Sequence, residues 1–384
     1  METSTMGGAG VRIAVLFNNA GGYSRNVLRG VTSFAASRPW QLSVEGVTDT
    51  DISLRIGGYA GVIVQATTRD LLTRLRRARC PVVNVSSAGP SHRLASVISD
   101  DLAIGRMGAE YFHRMGFRSF VYYWPDHRAF AEMRGKGFGE FCAGIGAQWT
   151  SAMGADELGA VLAASPKPVA VMGCNDRAGL GAIRVARQQG MRVPDDVAIL
   201  GVDNDDLVQS IAFPPLSSIN TARERIGFEA AQMLDRLMGG GAAGPERVAV
   251  PPIGVIARLS TSTLAIEDAE VAEAARYIHG NAVRHITVED VVRPLAVSRR
   301  QLERRFRAVL GRSVHDEIVR VRLDQARRLL ATTHLTLDQV SAACGFTTQS
   351  YFNVVFRKAT GSTPGRYRAS FGSRLLPDAS QSKN

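Results

Sequence analysis

Cysteine is scarce in this 384-residue chain: Cys80, Cys142, Cys174 and Cys344 stand far apart, with no C-x-x-C pair and no His/Cys ligand spacing. Such spacing excludes a disulfide framework and a zinc site and predicts reduced thiols. No metal and no other cofactor is expected. Long apolar runs are lacking too. The first, at 11–17, is interrupted by Arg12 and is too short to cross a bilayer, and the M-E-T-S-T-M-G-G-A-G before it has no basic leader region. A cytoplasmic protein without a membrane partner is expected. Catalytic signatures are also missing. N-N-A-G-G-Y-S-R-N follows the first strand where a dinucleotide enzyme would carry G-x-G-x-x-G, and neither a P-loop nor a Ser/His/Asp signature is present. The chain is not expected to be an enzyme.

What is present is lopsided charge. The chain carries a net charge of +11, yet Val291 to the C-terminus alone holds 17 Lys and Arg against 6 Asp and Glu. The rest of the chain is therefore neutral. A basic end on a neutral body predicts a polyanionic partner at that end.

Residues 11–17 form an apolar, β-branched run of strand length, and the pattern recurs at 41–45, 61–65, 82–85, 120–123, 169–172 and 198–202. Helical patterns lie between, notably at 70–78, 102–115, 128–145, 176–189 and 223–238. This alternation predicts parallel sheets covered on both faces, and its length predicts two similar lobes. Doubly wound sheets bind ligands at the carboxyl ends of their strands. The polar residues there are Asn18, Asn19, Tyr23, Gln65, Asp100, Asp101, Asn175 and Asp203, with Arg134 in A-E-M-R-G-K-G-F. Carboxylates, amides and an arginine can bind vicinal hydroxyls, while an aromatic ring covers an apolar sugar face. Asx residues after strands also cap helices, so Asp100, Asn175 and Asp203 fit either role.

I-S-D-D-L-A-I-G, M-R-G-K-G-F, C-N-D-R-A-G-L-G-A, V-P-D-D-V-A-I-L-G-V-D-N and P-P-L-S-S-I come in the order of a LacI/GalR-type effector domain. The chain resembles that family over about residues 11–260. The resemblance implies an α/β two-lobed periplasmic-binding-protein-like domain with parallel sheets and a small molecule in its cleft. The resemblance implies that Asp100, Arg134, Asn175 and Asp203 face the ligand, and Asn19, Tyr23 and Gln65 are expected to join them from their places at strand ends. LacI/GalR proteins place a helix-turn-helix ahead of this domain, whereas here about ten residues precede the first strand.

DNA binding is expected at the other end. Ser298-Arg-Arg-Gln-Leu-Glu-Arg-Arg-Phe-Arg307 reads as a helix with Ser298 as its cap and Leu302 and Phe306 inward. A long helix at 314–330 leads to a second unit, 336–359. There Gly345 makes the turn and Phe346, Phe352 and Phe356 form the inner face. Pro294 should end the first unit's leading helix early. V-S-R-R-Q-L-E-R-R-F, R-L-D-Q-A-R-R-L-L and C-G-F-T-T-Q-S-Y-F-N-V-V-F-R-K-A-T-G-S-T-P-G-R-Y-R resemble the AraC/XylS family over about 100 residues. That implies an all-α C-terminal domain with two helix-turn-helix motifs, at 288–307 and 336–359, which grip double-stranded DNA. Expected base contacts are Arg299, Arg300 and Arg304 in the first motif and Gln349, Ser350 and Asn353 in the second. Ser298, Arg305, Arg357 and Lys358 are expected to serve the backbone and the general field.

Together the two resemblances imply an effector domain at 11–264 joined to a DNA-binding domain at 265–384. The layout is that of sugar-responsive activators. A monosaccharide such as D-xylose as effector, a homodimer and RNA polymerase as partner follow as expectations. The alternative is a small-molecule receptor or enzyme-derived domain fused to a DNA-binding module, acting as a repressor or sensing a non-sugar ligand.

Overall fold

A computed structural model describes residues 10–17, 22–46, 57–89, 93–241, 246–262, 265–266 and 268–370. The chain opens with β1 (Val11–Phe17), α1 (Gly22–Ala35), β2 (Trp40–Gly46), β3 (Gly61–Val64), α2 (Arg69–Leu75), β4 (Val82–Asn84) and β5 (Ala95–Ser99). It crosses into a second lobe at α3 (Asp101–Arg114), followed by β6 (Ser119–Tyr123), α4 (Ala129–Gly144), β7 (Gln148–Ala152), α5 (Ala155–Ala164) and β8 (Val169–Gly173). That lobe continues through α6 (Asp176–Gln188), β9 (Val197–Val202), α7 (Asp206–Ile211) and β10 (Ser217–Asn220). The chain then returns with α8 (Arg223–Met238) and β11 (Arg247–Val250), and crosses once more to β12 (Gly254–Ile256).

The first sheet has the order β11-β5-β4-β3-β1-β2 and the second β12-β10-β9-β8-β6-β7. Every pairing is parallel except β10 with β12. Strands β3, β8 and β9 are buried along their whole length, which is why they read as continuous apolar runs; β5 is equally buried but carries Ser96 and Ser99. Strand β7 is an edge strand with its first four residues exposed, and its Q-W-T-S-A carries no such run. Helices α3 and α4 pack backbone to backbone: a Cβ at Gly105 would stand 1.8 Å from the Arg134 carbonyl oxygen. That contact fixes where Arg134 leaves its helix.

After β12 the chain is fastened to the second lobe. Ser260 and Thr261 are buried, with Ser260 Oγ donating to the Ile199 carbonyl at 2.6 Å. Thr261 Oγ1 lies 2.6 Å from Ser217 Oγ and 2.9 Å from Tyr111 Oη. The segment through Thr261 is therefore packed onto the second lobe.

The helical part comprises α9 (Ala269–Asn281), α10 (Val288–Val292), α11 (Arg299–Leu310), α12 (Val314–Thr332), α13 (Leu337–Ala343), α14 (Gln349–Thr360) and α15 (Pro364–Ser370). Helix α10 stops at Val292, just ahead of Pro294, as proline requires. Helix α12 holds two small cores together. Val314 and Ile318 enter one with Leu302 and Phe306, while Leu323, Ala326 and Leu330 enter the other with Phe346, Phe352 and Phe356. Glu317, 1 % exposed, anchors its first half by accepting from Arg312, from Arg320 Nε at 2.8 Å and facing His279 Nε2 at 2.7 Å. Burial alone would raise this carboxyl; Arg320 and His279 instead hold it well below the usual range. Among the described residues no helix is long and apolar enough to cross a membrane.

Candidate functional site

A polar cluster sits where the two lobes face each other. Arg134, on α4 and 5 % exposed, donates from Nε to Asp101 Oδ1 at 2.8 Å and from Nη1 to the Cys174 carbonyl at 2.6 Å. Its Nη1 stands 3.7 Å from Asp203 Oδ1, and its Cζ lies 4.7 Å from the Phe130 ring centre. From the first lobe's α8, Arg223 reaches the same Asp203 oxygen at 2.6 Å, so one carboxylate joins the lobes. Tyr23 on α1 lies beneath Arg223, 5.2 Å from its Cζ, and donates its hydroxyl to the Val85 carbonyl.

Burial alone would lower the Arg134 pKa, but Asp101 and Asp203 more than offset it and raise it above the ordinary arginine value. Burial likewise pushes Asp101 up, with Arg134 pulling it down. Asp176, behind the cluster, is pushed up to about 7 by burial and by the Asp203 charge. Ser218 Oγ and the Asp205 N–H donate to its two oxygens at 2.5 and 2.7 Å. Arg223 Nη1 is buried without a hydrogen-bond partner among the described residues, a polar group left open beside the cleft.

Asp203 and Asn204 both have positive φ, 111° and 49°, which costs a non-glycine residue about 1–3 kcal/mol each. Asn204 is held there by Ser218 Oγ, which accepts its N–H at 2.9 Å, and by Arg258 Nη2, which donates to its Oδ1 at 2.7 Å. Arg258 opens the segment leading to the helical part, so the Asp203 loop is tied directly to that passage. A cavity of about 330 Å³ continues from Asp203 and Arg223 to Leu330, His334 and Arg368 of the helical part.

The expected ligand residues divide. Tyr23, Arg134 and Asp203 come together; Gln65 lies on the first lobe with its Oε1 accepting from Ser24 Oγ at 3.1 Å. Asp100 caps α3, its Oδ1 accepting from the Ala103 N–H at 3.0 Å, while its neighbour Asp101 is the one that meets Arg134. Asn175 likewise caps α6, accepting from Ala178 N–H at 2.8 Å. Asn18 and Asn19 lie outside the described residues. Arg223 was missed, although it starts a helix right after a strand end, the signal that picked out the others.

The helical part presents two matched units. Ser298 caps α11 and Thr348 caps α14, and Gly311 and Gly361 end them with φ near 70°. Gly345 makes the turn before the second unit with φ 79°. Arg300 and Arg304 are exposed on α11, as are Ser350, Arg357 and Lys358 on α14, with Gln349 half-buried. Arg299 is paired with Glu289. Ser298 is engaged in a reciprocal cap with Gln301. Arg305 is a correction: its guanidinium is bound to Asp268 at 2.5 and 2.6 Å and to Glu270 at 2.7 Å, so it clasps α11 to α9 rather than meeting phosphate. Asn353 is half-buried, and its Oδ1 is buried without a hydrogen-bond partner among the described residues.

Comparison with known proteins follows this division. A periplasmic binding protein-like domain profile matches residues 109–261 and a helix-turn-helix domain profile matches 291–370. The xylose operon regulatory protein of Escherichia coli K12 is 28 % identical over 93 % of this chain and 96 % of its own length. A solved structure of a xylose-binding transcription activator, xylR, superposes with a TM-score of 0.60 at 25 % identity, covering 93 % of this chain and 97 % of that one. The chain therefore joins a periplasmic binding protein-like domain to a helix-turn-helix domain, and along nearly its whole length it is similar to transcriptional regulators of that layout. The counterpart from Haemophilus influenzae, another xylose operon regulatory protein, is 27 % identical over 93 % of this chain and 98 % of its own. These relatives are regulators, not enzymes. This regulator therefore binds DNA through its helix-turn-helix part and answers to a small molecule through its two lobes.

Proposed function

We propose that the regulator senses a monosaccharide, D-xylose first among candidates, in the cleft between its lobes and activates sugar-use genes. The observation that carries this is the buried set of Asp101, Arg134, Asp203 and Arg223 beside Tyr23, which combines fixed acceptors, fixed donors and a ring. Such a set suits a small molecule dense in hydroxyls. The names borne by the full-length relatives favour xylose. Tyr23, Gln65, Arg134 and Asp203, joined by Asp101 and Arg223, form the proposed sugar site. Arg299, Arg300, Arg304, Gln349 and Ser350 are the proposed base-facing residues, and Ser298, Arg357 and Lys358 serve the DNA backbone.

The proposed division is an effector domain at 11–264 and a DNA-binding domain at 265–384. The protein works in the cytoplasm as a homodimer that engages RNA polymerase. Sugar acts only through its different affinity for the two arrangements of the lobes. The Asp203–Asn204 loop, tied through Arg258 to the packed junction, is the route by which that difference reaches the reader helices. Titration calorimetry against a monosaccharide panel tests the reading: D-xylose should bind, and no heat from any sugar would reject it.

A further inference from the structure

The two reader helices share one register. Ser298 and Thr348, Leu302 and Phe352, Phe306 and Phe356, and Gly311 and Gly361 are each 50 residues apart, and each pair holds the same structural place. The register settles which positions face outward on both. Leu302, Phe306, Phe352 and Phe356 are buried, while Glu303 and Asn353 each carry a buried side-chain oxygen without a hydrogen-bond partner among the described residues. The outward row is Arg300, Arg304 and Arg307 on α11 and Ser350, Val354 and Arg357 on α14.

Val354 is thus the counterpart of Arg304. It is 67 % exposed, a branched aliphatic side chain in the middle of a row otherwise made of hydroxyl and cation. Single apolar residues on a surface ordinarily call for no explanation. This one stands where its partner unit carries an arginine, with Arg357 and Lys358 one turn on to meet phosphates. Tyr351, the other exposed large hydrophobic side chain on α14, is already engaged, edge-on to Phe346 at 6.2 Å. A helix seated in the major groove meets one apolar group on base edges, the 5-methyl of thymine.

We propose that Val354 reads a thymine 5-methyl group, so that the two units of one chain use different chemistry at the same position: cation to guanine in the first, methyl to methyl in the second. The recognition site would then be asymmetric, with an essential thymine under α14 and no equivalent demand under α11.

The test uses the intact protein and duplexes enriched by it from a randomised library. Each thymine of the enriched sequence is replaced in turn by deoxyuridine, which removes one methyl and nothing else. Wild type should lose about four-fold in affinity at one position, the worth of one buried carbon (~0.8 kcal/mol). Val354→Ala, with a shorter apolar side chain, should show a smaller difference between thymine and uracil there. Because Val354 is exposed, neither this change nor Val354→Arg disturbs the buried face of α14; Val354→Arg should shift preference at the same base pair toward guanine. Equal uracil sensitivity in wild type and Val354→Ala, or a uniform loss across all sequences, would overturn the proposal while leaving sequence-specific binding intact. Failure to enrich any sequence would overturn both.

Discussion

Removing the Asp203 carboxylate should expose how the two lobes are coupled. Arg223 is 3 % exposed and its strongest contact is Asp203 at 2.6 Å; beyond that it donates from Nε to Thr221 Oγ1 at 3.2 Å. Arg134 would keep Asp101 and the Cys174 carbonyl. Breaking a buried pair from one side costs ~3–5 kcal/mol, because a charge is left without compensation. Asp203 is 23 % exposed, so water recovers part of this, leaving about 2–4 kcal/mol for Asp203→Ala. In an effector domain of about 250 residues that lowers Tm by roughly 4–8 °C. Asp203→Gly loses the same pair but relaxes the 111° φ, so it should be milder by about 1 kcal/mol. Adding Arg223→Met to Asp203→Ala removes the stranded charge and should recover most of the loss. Urea unfolding with unchanged m-values reads all four proteins. A loss below ~1 kcal/mol for Asp203→Ala, or no recovery in the double variant, would refute the coupling of the lobes through this carboxylate.

Gly345→Ala should cost about 2–4 kcal/mol, since its φ is 79° and a Cβ would stand 2.7 Å from the Ala282 carbonyl oxygen; thermal unfolding measures it. Asp176 has its folded pKa raised to about 7 by burial, so its protonated form favours folding at low pH and that contribution is lost as pH rises through 7. Tm between pH 5 and pH 8 should fall more in wild type than in Asp176→Asn. Arg305→Ala should lower Tm without changing base preference, because Arg305 binds Asp268 and Glu270. Arg304→Ala should do the reverse, relaxing preference at one base pair by about 1–3 kcal/mol, as binding selections on the two variants would show.

Much of this was legible because the signals were local and repeated. Buried parallel strands such as β8 and β9 announce themselves as apolar runs, and Gly345 and Pro294 each impose a backbone geometry that no neighbour overrides. The pairings were less legible. Asp100 and Asp101 are adjacent and chemically identical, and only the turn of α3 decides that the first caps and the second meets Arg134. Arg305 resembles its neighbours Arg304 and Arg307 in sequence, yet Asp268, 37 residues earlier, claims it. Arg223 stands just past a strand end like the other site residues, but that its side chain meets Asp203 of the other lobe depends on the chain crossing back at 220–223, a long-range event. Strand β7 escaped notice because it is an exposed edge.

In the proposed function the polar set between the lobes governs the reader helices. This control is tested most directly by the DNA affinity of the intact chain, with and without D-xylose, in wild type and in the Asp203→Ala/Arg223→Met double variant. The double variant replaces the Asp203–Arg223 pair that joins the lobes and leaves Arg134 with Asp101. Wild-type affinity for an enriched duplex should change by about five-fold or more on adding sugar, the usual scale of a coupling near 1 kcal/mol. The double variant should bind the same duplex as sugar-free wild type does, and should not respond. A sugar response of equal size in both proteins would contradict the account.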